Sequence, residues 1–93
     1  MHIAVLTVRI ALPGCRSLKE KRQRMGGLHE RFGRHPAIAV CESGERDHHA
    51  TSEWTFVVVG TASREVSALC SEIEDKLQRT VDGQLLDATR EWL

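Results

Sequence analysis

The stretch His2-Ile3-Ala4-Val5-Leu6-Thr7-Val8-Arg9-Ile10-Ala11 decides the fold. Alternation puts Ala4, Leu6, Val8 and Ile10 on one face of an extended chain, and Ile3, Val5, Thr7 and Arg9 on the other. Both faces are largely apolar, which predicts a strand in the middle of a sheet. Pro13-Gly14 ends it.

The run that follows, Ser17-Leu18-Lys19-Glu20-Lys21-Arg22, begins a helix. Ser17 and Glu20 have the S-x-x-E spacing of a capping box, in which the Ser hydroxyl bonds the Glu20 amide and the Glu carboxylate reaches back. The helix is predicted from about Leu18 to Arg34, with Leu18, Met25, Leu28 and Phe32 as its buried stripe. His35-Pro36 ends it, because the residue before a proline is pushed out of the helical region. Gly26-Gly27 falls in mid-helix at a cost of roughly 2 kcal/mol relative to alanines. The pair predicts either a close approach to the sheet or a bend.

Ala37 to Glu42 reads as strand two, with Ile38 and Val40 inward. Residues 43 to 52 are polar and read as a long, exposed hairpin connection. Glu53 to Gly60 is strand three, apolar on both faces. Ser63 is the expected cap of helix two, whose stripe is Val66, Leu69, Cys70, Ile73 and Leu77. Asp82-Gly83 terminates it, and Leu85 to Leu93 is the last strand.

The order β-α-β-β-α-β predicts an α+β domain over residues 1–93 of the ferredoxin-like, split βαβ kind. A four-stranded antiparallel sheet carries both helices on one face, with strands one and three in the centre. The other face is left open with Ile3, Val5, Val57 and Val59 on it. An apolar patch of that kind predicts a homo-oligomer, most simply a dimer.

Hydrophobic content of 41% and charged content of 28% are ordinary for a soluble globular chain of 93 residues. Net charge is zero, so the whole molecule is no polyanion binder, yet the charge is unevenly spread. Residues 9 to 34 hold eight basic and two acidic side chains, a net +6, and the remainder carries −6. That asymmetry fits either self-complementary pairing or a polyanion partner. Cys15, Cys41 and Cys70 are an odd number without a short repeat, which points away from a disulfide framework and towards a reducing compartment. No apolar run is long enough to span a bilayer. The N-terminus lacks a basic lead and contains Thr7 and Arg9, so it reads as a strand and not a signal peptide. A cytoplasmic protein is expected.

The start of helix one is the leading candidate site. Lys19, Lys21 and Arg22 stand where the helix dipole disfavours cations, so the fold alone does not account for them. With Arg16 and Ser17 they form a candidate site for an anion or an anionic partner. Lys21 falls close to the apolar stripe, so its stem is expected along the core edge with the ammonium snorkelling out. Asp47, His48 and His49 invite a metal reading, but adjacent histidines on an extended segment point opposite ways, and no H-x₃-H or C-x₂-C spacing exists. An exposed loop is expected there and no metal. No cofactor and no catalytic residue is assigned. Cys15 beside the cationic run lacks a placed base, and Cys70 reads as core. Trp54 and Trp92 read as anchors of the core or of an interface. Two Trp and two Phe are too few for an aromatic RNA-stacking sheet. Leu12-Pro13-Gly14-Cys15-Arg16 does not match the phosphate loop of an acylphosphatase.

The hexapeptide Ser17–Arg22 resembles the signature of the YlxP-like family of small bacterial proteins of unknown function. Val40-Cys41-Glu42 resembles that family's Val-Ala-Glu on strand two, Asp47 takes the place of its acidic loop residue, and Glu91-Trp92-Leu93 resembles its usual ending. The chain departs from the family at His48-His49-Ala50, where relatives commonly have Leu-Trp-Gln, and at Gly26-Gly27. The resemblance implies a ferredoxin-like fold and no established activity. Gene neighbourhoods in the family imply an accessory role in RNA or ribosome biology. The expectation is a non-enzymatic, cytoplasmic factor that binds an anionic partner through its basic helix start. The alternatives are an enzyme for a small anion or phosphate ligand on the same scaffold, or a purely structural oligomerisation module.

Overall fold

β1 (His2–Ala11) lies between β3 (Thr51–Gly60) and β4 (Gln84–Trp92), and β2 (Ile38–Gly44) flanks β3, in the order β2-β3-β1-β4. All three pairings are antiparallel. The structure is a computed structural model that describes all 93 residues. It is an α+β fold with an open four-stranded sheet. The faces fall as the alternation of β1 predicts: Ala4, Leu6, Val8 and Ile10 are fully buried, whereas Ile3, Val5, Val57 and Val59 are half-buried on the far side.

The helical layer closes the core. Val66, Cys70, Ile73 and Leu77 of α3 (Ser63–Thr80) are buried, and Leu69 packs against them half-buried. The first helical segment is not one helix. It is broken into α1 (Leu18–Met25) and α2 (Leu28–Gly33), so the six-element order expected from sequence gains a seventh element. The stripe survives the break: Met25, Leu28 and Phe32 are all buried, and the Phe32 ring packs edge-on to Phe56 at 5.3 Å. Gly26 explains the break, because a Cβ there would lie 2.6 Å from the Arg22 carbonyl oxygen. Gly27 has open space where its Cβ would be. Of the two roles the pair could have, the turn is the one adopted.

The facing ends of β2 and β3 and the cap of α3 differ from the sequence reading, whereas the stop at Asp82-Gly83 falls where it was expected. The hairpin connection expected over residues 43–52 is shorter, because β2 runs on to Gly44 and β3 starts at Thr51. Backbone pairing extends both strands: Ser52 and Thr51 lie opposite Ile10 and Ala11 of β1, and Gly44 lies opposite Glu53, while Ser52 donates to Glu42 at 2.9 Å. Ser63 is the first helical residue and not the cap; Ala62 is the N-cap and supplies no side-chain bond. Gly83 lies past the end of α3, where a Cβ would meet the Ala11 carbonyl oxygen at 2.7 Å, so the α3–β4 turn needs a residue without one. No helix is long and apolar enough to cross a membrane.

Candidate functional site

The beginning of α1 is capped as the sequence predicts on one side only. The Glu20 amide donates to Ser17 Oγ at 3.1 Å. The Glu20 carboxylate does not return the bond to the Ser17 amide; it pairs along the helix with Arg24 at 3.6 Å. Cys15 is buried beneath this turn, and its Sγ donates to the Ser17 carbonyl at 3.5 Å.

Lys21 corrects the expectation of a snorkelling ammonium. Its stem lies along the core, but the whole residue is 3% exposed. One turn beyond the cap, its Nζ faces inward and meets the hairpin between β2 and β3. It donates to the carbonyl oxygens of Glu45 and of His48, the latter at 2.7 Å, and stands 3.1 Å from Glu42 Oε2. An ammonium has three donors, and these partners take all of them. Burial without partners would be prohibitive, so the geometry makes Lys21 a fastening of the hairpin tip and leaves it no donor for a ligand. The tip holds an unusual backbone: Glu45 has φ 59°, in the left-handed region.

A polar chain continues from that pair into the core. Glu42 Oε2 accepts from Ser52 Oγ, and Ser52 Oγ accepts from Trp54 Nε1 at 2.7 Å. Ser52 is fully buried and Trp54 is 4% exposed, so the indole N–H and the hydroxyl satisfy each other within the protein. His29 packs edge-on against the Trp54 ring, centroids 5.0 Å apart. No buried side-chain polar atom lacks a partner.

Between α1 and this hairpin lies a cavity of about 340 Å³. Leu18, Met25 and Trp54 give it apolar walls, with His29 beside Trp54. Lys21 and Glu42 line it as a neutralised pair, and Arg22, Arg46 and Asp47 also contribute to it. The volume is near the lower end of small-molecule sites, roughly 300–1,000 Å³.

The five residues singled out from sequence therefore separate. Lys21 and Arg22 come together at the cavity, the one buried and the other exposed. Ser17 is the helix cap. Arg16 and Lys19 are exposed and line no part of it. Arg16, Lys19 and Arg22 pair with no carboxylate, in contrast to Arg24, whose Nε lies 3.3 Å from Asp82 Oδ2. Sequence reading missed His29, Arg46 and Ser52. Glu42 carried a usable signal, since it falls on the inward face of β2 with Ile38 and Val40, where a charge needs a buried partner. His48 and His49 are both exposed, and His48 Nε2 lies 3.7 Å from Glu45 Oε2.

A solution structure of the SecDF periplasmic domain P4 is similar over 98% of this chain and 88% of that one, with a TM-score of 0.47 at 14% sequence identity. No curated protein matches the chain. The family profile described as "Protein of unknown function (DUF503)" matches residues 3–90, nearly the whole sequence. The chain therefore belongs to the DUF503 family.

Proposed function

We propose that this protein is a non-enzymatic, cytoplasmic accessory factor that binds RNA, free or on the ribosome, through the start of α1. The observation that carries this is the unpaired state of Arg16, Lys19 and Arg22, three exposed cations without a carboxylate partner beside a helix start. Arg16 and Lys19 lie at the end where the dipole opposes cations, whereas the break after Met25 puts Arg22 in the last turn of α1, against the sequence expectation; none of the three has an internal counter-charge, so an external anion is their natural complement. The same reading takes the family as YlxP-like, supported by the Ser17–Arg22 run. It takes the fold as ferredoxin-like, supported by the antiparallel order β2-β3-β1-β4 with helical crossovers.

The test is fluorescence anisotropy with a labelled single-stranded RNA over a salt series. Three phosphate contacts give a slope of log K against log salt of about −2. The Lys19→Ala/Arg22→Ala variant should flatten the slope by more than about one and weaken binding about tenfold at low salt. Binding that ignores salt, or that survives the double substitution unchanged, overturns the reading.

The cavity favours a second reading, a site for a small anion at Arg22 and Arg46. A rise in melting temperature with inorganic phosphate, in the absence of RNA binding, selects it.

The open sheet face belongs to the same proposal as a dimer contact. Ile3, Val5, Val57 and Val59 form its apolar end. Arg9 sits in register between Glu53 and Asp87 at the other end, so the face carries both signs and can complement a second copy of itself. Sedimentation showing a monomer at high micromolar concentration removes this element.

A further inference from the structure

The cavity beside α1 has a chemistry that its cations do not explain. A site for phosphate alone needs donors, and a carboxylate within it is a repulsive neighbour. Here Glu42 is part of the wall. Its Oε2 is engaged by Lys21 and Ser52, while its Oε1 has no partner within the chain. A free carboxylate oxygen accepts from an N–H donor. The nearly buried Trp54 and Met25 form an apolar floor, and the exposed His29 ring, held edge-on to the indole, is the aromatic face that remains open. Such a face takes a flat ring. Arg22 and Arg46 are exposed residues of the same cavity and supply the donors that a phosphate needs.

A flat ring with N–H groups on its edge and one phosphate attached through a short spacer is a nucleotide. We propose that the cavity takes one unstacked nucleotide, its base against His29 over the floor that Trp54 forms, with an edge N–H on Glu42, and its phosphate on Arg22 and Arg46. The inference rests on the RNA reading above for its preferred source, a base turned out of a single strand. The same chemistry is offered by a free mononucleotide. A space of about 340 Å³ suits one such unit. RNA-binding proteins that read single strands use this combination of ring stacking and edge hydrogen bonds. It needs no aromatic array on the open sheet face.

The experiment uses the full chain with Trp92→Phe, a change at an exposed position that leaves Trp54 as the single tryptophan. The probes are a short single-stranded RNA, an oligonucleotide of the same backbone without bases, and guanosine 5′-monophosphate. Anisotropy reads binding, and Trp54 fluorescence reads entry into the cavity. The expected result is that the RNA quenches Trp54, while the abasic strand binds about tenfold more weakly and leaves Trp54 unchanged. Equal binding of both strands with no change at Trp54 overturns the nucleotide site and leaves the RNA reading standing. If neither strand binds, the RNA reading falls, and the mononucleotide decides the cavity: quenching supports the site, and no quenching overturns it. His29→Ala, at an exposed position, should weaken the quenching ligand about threefold. Unchanged affinity in that variant places the base elsewhere and overturns the assignment.

Discussion

Lys21 of α1 reaches 3.1 Å from the Glu42 carboxylate of β2, and the two charges close one end of the cavity from inside the fold. Lys21 also holds two carbonyls of the hairpin tip, so removing its ammonium leaves the Glu42 charge without its counter-ion and the His48 carbonyl without a donor. Lys21→Ala should cost about 2–4 kcal/mol, below the upper end for a fully buried pair because the Glu42 side chain keeps one-fifth of its surface. Urea denaturation checks it. The double variant Lys21→Met/Glu42→Leu should recover much of the loss, since no charge is then left without a partner. A single-variant cost below about 1 kcal/mol contradicts the fastening role.

Gly26 and Gly27 should behave oppositely. Alanine at 26 drives a methyl group onto the Arg22 carbonyl, and the turn between α1 and α2 must shift. A loss of about 1–3 kcal/mol is expected. Alanine at 27 meets nothing within 4 Å, and its backbone lies in the right-handed region. It should leave stability unchanged or raise it by about 0.5–1 kcal/mol by restricting the unfolded chain. Thermal melts of the two variants side by side decide the matter.

Burial pushes the Cys70 thiol up from its ordinary value, Arg90 pulls it back down, and Glu74 adds to the rise. A thiol whose folded value is raised favours the protonated form in the native state. Its contribution is fully present below the ordinary thiol value and is lost as the pH climbs through the folded one. The melting temperature should therefore fall between about pH 8 and pH 10 more steeply in the wild type than in Cys70→Ala. In the native protein a thiol reagent should consume the exposed Cys41 first, with the buried Cys15 and Cys70 following only on unfolding.

Arg90 ties the edge strand β4 to α3. Its guanidinium donates to Glu74 Oε2 at 2.7 and 3.0 Å, to Ser71 Oγ at 3.0 Å and to Ser67 Oγ at 3.3 Å. Ser67, Ser71 and Glu74 are spaced four and three apart and so share a helix face. A lysine cannot span all three. Arg90→Lys should lower stability by about 1 kcal/mol, measured as a shift of the urea midpoint without a change of slope.

The parts of the fold legible in the sequence are those written in periodicity. β1 and β3 are apolar on both faces, which placed them in the middle of the sheet, and the stripe of α3 read directly as its buried side. The break at Gly26 was visible as a cost but not as a geometry, because the carbonyl that a side chain would strike belongs to the helix's own preceding turn. The strand ends at Gly44 and Thr51 were hidden, because they are set by pairing across the sheet, Gly44 with Glu53 and Thr51 with Ala11, which no local propensity encodes. At the candidate site, Arg22 was found from charge alone. Lys21 was found for the wrong reason: two opposite charges, each on an otherwise apolar face, pointed to an internal pair that only the docking of α1 against β2 reveals. His29 and Arg46 carried no sequence signal.

The burial of Lys21 has a consequence for how the basic hexapeptide should be understood. Within Ser17–Arg22, one cation is an internal staple and two are free for the outside world. Damage at 21 would be felt as a less stable protein, whereas damage at 19 or 22 would be felt as a stable protein that fails to capture its partner. A survey that scored the run as a single electrostatic unit would average two unrelated phenotypes.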